Sequence, residues 1–191
     1  MNYGFIYCLG NEHMPGVYKI GMSTRSPRAR CAEVSNATGV PDSFQLLFFA
    51  DVEEPRQCEL DCHRHFDLCR VNDSREFFRT DMRLIHDYFE HLSTSICITN
   101  EGRHAFMVND CVKQIRWADT RESRAKAIID LAFLEGIHLW VTDGVIQQST
   151  PGQFYMSEAL LSAVTFAGPL LLEHFPQTPY VAKKLLEQEG I

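Results

Sequence analysis

Between Glu12 and Glu33 the chain carries no acidic residue, whereas Lys19, Arg25, Arg28 and Arg30 all fall there. Such a local basic patch can hold a phosphate even on a chain whose formal net charge is −7. Tyr7 lies upstream; a phenol titrates near ~10, so it acts as a base near neutrality only with help from a nearby positive charge such as Lys19. Downstream, Glu59 and His63 stand one helical turn apart and share a helix face. Glu76 sits between Arg75 and the apolar pair Phe77-Phe78. Basic groups that can hold a phosphate thus share the chain with carboxylates, an imidazole and a phenol, groups that can carry protons.

Each residue also fits a plainer role. Tyr7 fits a half-buried packing position, and Lys19 fits a solvated strand. The arginines fit an exposed helix face, Glu76 fits a surface pair with Arg75 or Arg79, and Glu59 with His63 fits a structural i,i+4 contact. The run CELDCHRHFDLC at 58–69 invites a zinc reading through Cys58, Cys62, His63, His65 and Cys69. Helical spacing opposes it: Cys58, Cys62, Phe66 and Cys69 fall on one stripe, as core residues would, and His65 points elsewhere. Structural zinc sites usually show paired C-x-x-C knuckles, which this run lacks.

The elements that must position these residues are legible in outline. Residues 3–9 (YGFIYCL) and 17–22 (VYKIGM) read as strands joined by a turn at 11–16 with a Pro15-Gly16 pair, an antiparallel hairpin. Alternation puts Phe5, Tyr7 and Leu9 on one face of the first strand and Val17, Lys19 and Gly21 on one face of the second. Ser26-Pro27 starts a helix to about Ser35, ended by residues 38–41 (TGVP). Residues 44–52 (FQLLFFADV), apolar on both sides, read as a central strand. Pro55 opens a helix to about Cys69, residues 75–79 are a short extended piece, and Asp81 caps a helix ending near Leu92.

A polar stretch at 93–103 marks a boundary between domains 1–93 and 94–191. In the second, residues 105–117 read as one or two strands. Asp119 and Glu122 open a helix that Gly136 stops, and Asp143-Gly144 is a hairpin signal within 138–147. Ser157 opens an apolar helix broken at Gly168-Pro169, and Thr178-Pro179 starts a last one. His104, His138 and His174 are isolated, Trp117 and Trp140 read as packing residues, and Leu160, Leu161, Val164 and Phe166 form a core or dimer stripe. The expected fold is mixed α/β: a three-stranded sheet flanked by helices, then a small α+β domain.

With 45% hydrophobic and 23% charged residues the chain is globular in composition. No apolar run is long enough to cross a bilayer and no secretory signal is evident, so no membrane association and a cytoplasmic location are expected. Seven cysteines, an odd number scattered through the chain, fit reduced core thiols.

GFIYCL at 4–9 followed by VYKIGMSTR at 17–25 resembles the paired strands of the GIY-YIG nuclease superfamily. FIY stands for GIY, and KIG stands for YIG. RARCAEVSNATGVP at 28–41, ELDCHRHF at 59–66 and NDSREFFR at 72–79 follow in that family's order. The run, from residue 3 to about 92, is similar to a phage and bacterial branch in which lysine often replaces the second motif tyrosine. The resemblance implies an endonuclease that hydrolyses DNA with Mg2+ (or Mn2+). Tyr7 would help activate water, with Lys19 beside it. Arg30 would contact the scissile phosphate, with Arg25 and Arg28 as competitors for phosphate binding. Glu76 would hold the metal, and His63 would shuttle a proton or bind phosphate. Phe5 for the first glycine and Lys19 for the tyrosine depart from the pattern, which touches the tyrosine-pair mechanism more than the nuclease assignment.

A second expectation keeps the scaffold without the reaction: a silent domain that binds a protein partner, for example a phage factor acting against host defence. Hydrolysis of RNA or small nucleotides is a third. Residues 94–191 are expected to select the target, bind a partner or form a homodimer.

Overall fold

The computed structural model describes residues 2–36, 42–93, 95–134, 138–142 and 145–149. It divides into two compact units, Met1–Phe106 and Met107–Ile191.

The first unit begins with a hairpin of β1 (Tyr3–Gly10) and β2 (Val17–Ser23), paired antiparallel with Tyr7 opposite Gly21. Its turn is organised locally. The Asn11 side chain accepts the His13 N–H and donates to the Asp42 carbonyl, while Gly16 takes the positive φ of 72° that the reversal requires. Helix α1 (Pro27–Ser35) starts with proline at its first position, where the missing N–H costs nothing. Then follow β3 (Gln45–Glu53), α2 (Pro55–His65), a 3-10 turn at Asp67–Cys69, β4 (Phe77–Arg79) and α3 (Met82–Leu92). Asp81 caps α3 by accepting the Arg83 N–H. Strand β5 (Ile96–Ile98) and the first residues of helix α4 (Asn100–Trp117) complete the series.

The fold is mixed α/β, as expected, but the sheet has five strands, in the order β4-β2-β1-β3-β5. Strand β3 is interior, as expected, between β1 and β5, and β1 at the middle of the sheet is likewise covered on both faces. Ile6 and Cys8 join Phe48, Cys62, Phe66, Phe78, Ile85 and Phe89 on the side of α2 and α3. Tyr7 and Leu9 join Cys31 of α1 with Phe44 and Leu46 on the other. The fifth strand lies in the stretch read as a polar boundary. Short edge strands such as β4 and β5 carry too few residues to show a two-residue period.

Residues 105–117, expected as strands, belong to helix α4. Thr99 caps it: its hydroxyl accepts the Gly102 N–H and donates to the Leu47 carbonyl at 2.9 Å, a carbonyl that also receives the Thr99 N–H. Leu47 is the extra residue of a β-bulge, since β1–β3 pairing steps from Cys8↔Phe48 to Leu9↔Leu46. A Cβ on Gly102 would stand 2.0 Å from the Leu47 oxygen, so this glycine, within the stretch read as a boundary, permits α4 to close on the bulge. The helix expected to run to Cys69 stops at His65 and gives way to the 3-10 turn.

In the second unit, α5 (Arg121–Leu134) buries Ala127, Ile128, Leu131 and Ala132. Strands β6 (His138–Thr142) and β7 (Val145–Ser149) pair antiparallel, as the hairpin signal implied. Trp117, expected in a core, is 75% exposed. The stop signals read at 38–41 and Gly136, the turn pair Asp143-Gly144, the helices expected from Ser157 and Thr178, the stripe from Leu160 and His174 lie outside the described residues.

Gly102→Ala is expected to destabilise the first unit by ~3 kcal/mol, the upper end for forcing atoms into a packed site, read as a lowered urea midpoint. An unchanged midpoint would show that α4 does not need this contact.

Candidate active site

Strand β2 shares its first half with β4, through Val17↔Arg79, Tyr18↔Phe78 and Lys19↔Phe77, and there β4 ends. The next backbone groups on that edge still require partners. The Ile20 N–H donates to the Glu76 carbonyl at 3.2 Å. The Ile20 carbonyl receives the Nε2–H of His63 at 3.0 Å, and the Met22 N–H donates to a Glu59 carboxylate oxygen at 2.9 Å. Two side chains from α2 thus stand in for the missing strand. They bring a carboxylate and an imidazole to the place where Glu76 enters.

On the sheet face toward α1, the Tyr7 ring lies across Gly21. A Cβ there would come 2.5 Å from the phenol oxygen, which explains glycine as the last residue of KIG. Arg30 projects from α1 close enough to lower the phenol's proton affinity, while pairing with Glu33 at 3.1 Å. Beside them the Lys19 ammonium, largely buried, forms an ion pair with Glu76. Residues 7, 19, 30, 59, 63 and 76 therefore meet at one end of the β2 edge.

The charges differ from expectation at one point. The cation beside Tyr7 is Arg30, not Lys19. Burial is the largest influence on Tyr7 and raises its pKa above the ordinary value, with Arg30 opposing and Glu59 and Glu76 reinforcing. The phenol is protonated at neutral pH. Burial also pushes up Glu76, but the hydrogen bond and charge of Lys19, with His63 and Arg30 behind them, prevail and hold it below the ordinary carboxylate value. Glu59 goes the other way, raised first by burial and then by the neighbouring Glu76. Two adjacent carboxylates shifted in opposite directions divide proton affinity between them.

Arg25 is drawn into an exposed pair with Glu33 at 2.7 Å. Arg28 acts on Cys31 and Glu101 and stands apart from the cluster. Glu59 was noted in sequence only as the helical neighbour of His63; the signal for its role was that shared face, aimed at an edge that sequence does not reveal. The cysteine run builds packing. Cys62 and Phe66 are core residues, the Cys58 thiol donates to the Glu53 carbonyl, and His65 stacks on Tyr88 at 4.3 Å. All seven cysteines are free thiols.

Glu59 and Glu76 offer hard oxygen donors close enough to repel each other, and Glu76 is half-exposed. That donor set fits a magnesium ion, which binds through one or two carboxylates and keeps several waters. Elsewhere among the described residues, His86, Asp87 and Glu90 of α3 bring one ligand atom each within 4.8 Å of one another. No helix among the described residues is long and apolar enough to cross a membrane.

A mixed α/β domain with a polar cluster at the sheet edge is what the fold and site define. Residues 4–117, more than half the chain, match the model of the T5orf172 domain, and the chain belongs to that family. No curated protein and no solved structure matches it.

The two carboxylates should affect stability with opposite sign. Glu76, depressed, stabilises the fold above the unfolded carboxylate pKa and loses that contribution as pH falls through its folded value. Glu59, raised, favours the fold below the unfolded pKa and loses that contribution as pH rises through its folded value. Urea midpoints measured from pH 3 to 7 should show Glu76→Gln losing most at pH 7, with the deficit closing in acid. Glu59→Gln should gain relative to the parent toward pH 7. Parallel profiles for both variants would contradict this division.

Proposed function

We propose that the first unit is a metal-dependent endonuclease hydrolysing DNA phosphodiester bonds, as its resemblance to the GIY-YIG superfamily implies. The observation that carries the reading is the convergence at the β2 edge of Tyr7, Lys19, Arg30, Glu59, His63 and Glu76, from β1, β2, α1, α2 and the segment before β4.

In this reading the Arg30 fork and the Lys19 ammonium bind the nonbridging oxygens of the scissile phosphate and stabilise charge that develops there. The protonated Tyr7 phenol donates a hydrogen bond, orienting the attacking water or a phosphate oxygen, rather than removing a proton. Glu59, whose burial strengthens it as a base, accepts the water's proton. His63 is held at the edge of the cluster by its bond to the Ile20 carbonyl. Glu76 would hold a magnesium or manganese ion with Glu59 beside it, and such an ion supplies Lewis acidity and lowers the pKa of bound water.

The Lys19–Glu76 pair and the net charge of −7 also support a second reading, in which the closed pair is structural and the domain binds a protein partner.

Purified protein with magnesium or manganese is expected to nick plasmid DNA. EDTA should abolish nicking, and Glu76→Ala should lower it by on the order of 100-fold or more. Silence from the parent across DNA and RNA substrates, with a stable protein complex in its place, would move the assignment to the second reading.

A further inference from the structure

A shallow cavity of about 370 Å³ lies at the start of β2, between the hairpin turn and the segment that leads into β4. Val17, Met14 and Phe77 line it, with Arg75 and Arg79 among the residues around them. Val17 and Lys19 are two apart on β2 and face the same side, so the cavity begins ~6.6 Å from the Lys19 position. That is about two stacked nucleotide steps of ~3.4 Å. Phe77 belongs to both places: it packs against the Tyr7 side of the core, and its ring lies 5.9 Å from the Lys19 ammonium.

The cations here have no carboxylate partner among the described residues, unlike four other arginines of this unit. Arg25, Arg30, Arg64 and Arg70 each hold an Asp or Glu. No carboxylate among the described residues pairs with Arg75 or Arg79, both exposed. His13, also in the lining, is paired with Asp42 at 3.5 Å. The loop carrying Arg75 is held in place: the Arg70 guanidinium donates to the Arg75 carbonyl at 3.0 Å, Val71 N–H donates to the Phe77 carbonyl at 2.8 Å, and Asn72 organises Ser74. Two guanidinium forks, one on a fixed loop and one on β4, beside an aromatic and aliphatic floor suit a phosphate joined to a flat base.

We propose that this cavity is a strand subsite for a nucleotide flanking the scissile phosphate. Arg75 and Arg79 grip the flanking phosphate, and the base or sugar rests on Met14, Val17 and Phe77. The assignment rests on the nuclease reading and adds to it the direction in which the strand leaves the cluster, along β2 toward the hairpin turn.

The test is fluorescence anisotropy of a labelled 12-nucleotide single strand over a range of salt. It compares the full chain carrying Glu76→Gln with the same chain also carrying Arg75→Ala and Arg79→Ala. The added changes are expected to weaken binding at least tenfold and to reduce the slope of log affinity against log salt by ~1.4, about 0.7 for each lost phosphate contact. Arg75→Lys with Arg79→Lys should keep most of the slope while losing part of the affinity. Equal affinity and slope, with the parent still cutting DNA, would overturn the subsite and leave the nuclease reading intact. A parent that neither cuts nor binds nucleic acid would overturn that reading, and the subsite with it. Binding of free dAMP as tight as the 12-mer, and equally dependent on both arginines, would make the cavity a mononucleotide site and overturn the strand assignment.

Discussion

The outer edge of β2 is the constraint on which the site depends. A sheet edge inside a packed domain cannot leave its N–H and C=O groups without partners, and β4 is too short to serve the whole strand. The segment before β4 supplies one carbonyl, and α2 supplies an imidazole and a carboxylate. Backbone satisfaction thus anchors groups that also face a cluster of charges. A cluster held by strand geometry is preorganised, because moving Glu59 or His63 would leave a backbone group bare.

The face next to that edge is governed by close approach. Tyr7 sits across Gly21 with Arg30 close to its phenol, and Lys19 sits two residues from Gly21 on the same face. Large side chains can meet there because a hydrogen replaces a side chain at residue 21. The bulge at Leu47 relies on the same device through Gly102. In and beside the cluster the signs nearly balance: Lys19 answers Glu76, Arg30 stands with Glu33, and Glu59 adds a second carboxylate. The chain's overall negative charge therefore says little about the field at this edge.

Much of the first unit was legible because its elements are long or carry strong local signals. The hairpin was visible in alternation and in Pro15-Gly16, α1 in Ser26-Pro27, and the start of α3 in Asp81. What escaped was short or depended on distant partners. Strand β5 has three residues, and the pairing of the extended piece at β4 with β2 was not visible, while α4 begins in a segment whose Thr99 cap acts through a carbonyl of β3. Trp117 shows the same limit: an aromatic in a periodic segment reads as core, yet it is exposed.

The sequence by itself determined the mixed class of the fold, the faces on which Tyr7 and Lys19 lie, and the helical turn shared by Glu59 and His63. These follow from local periodicity and from the chirality of the backbone. Only the tertiary structure decided which cation meets which acid. Arg30 rather than Lys19 reached the phenol, Lys19 paired with Glu76, Arg28 turned away, and Glu59 joined the cluster. Those pairings depend on where one strand stops and which helix covers the gap, and neither is encoded in the spacing of the residues concerned.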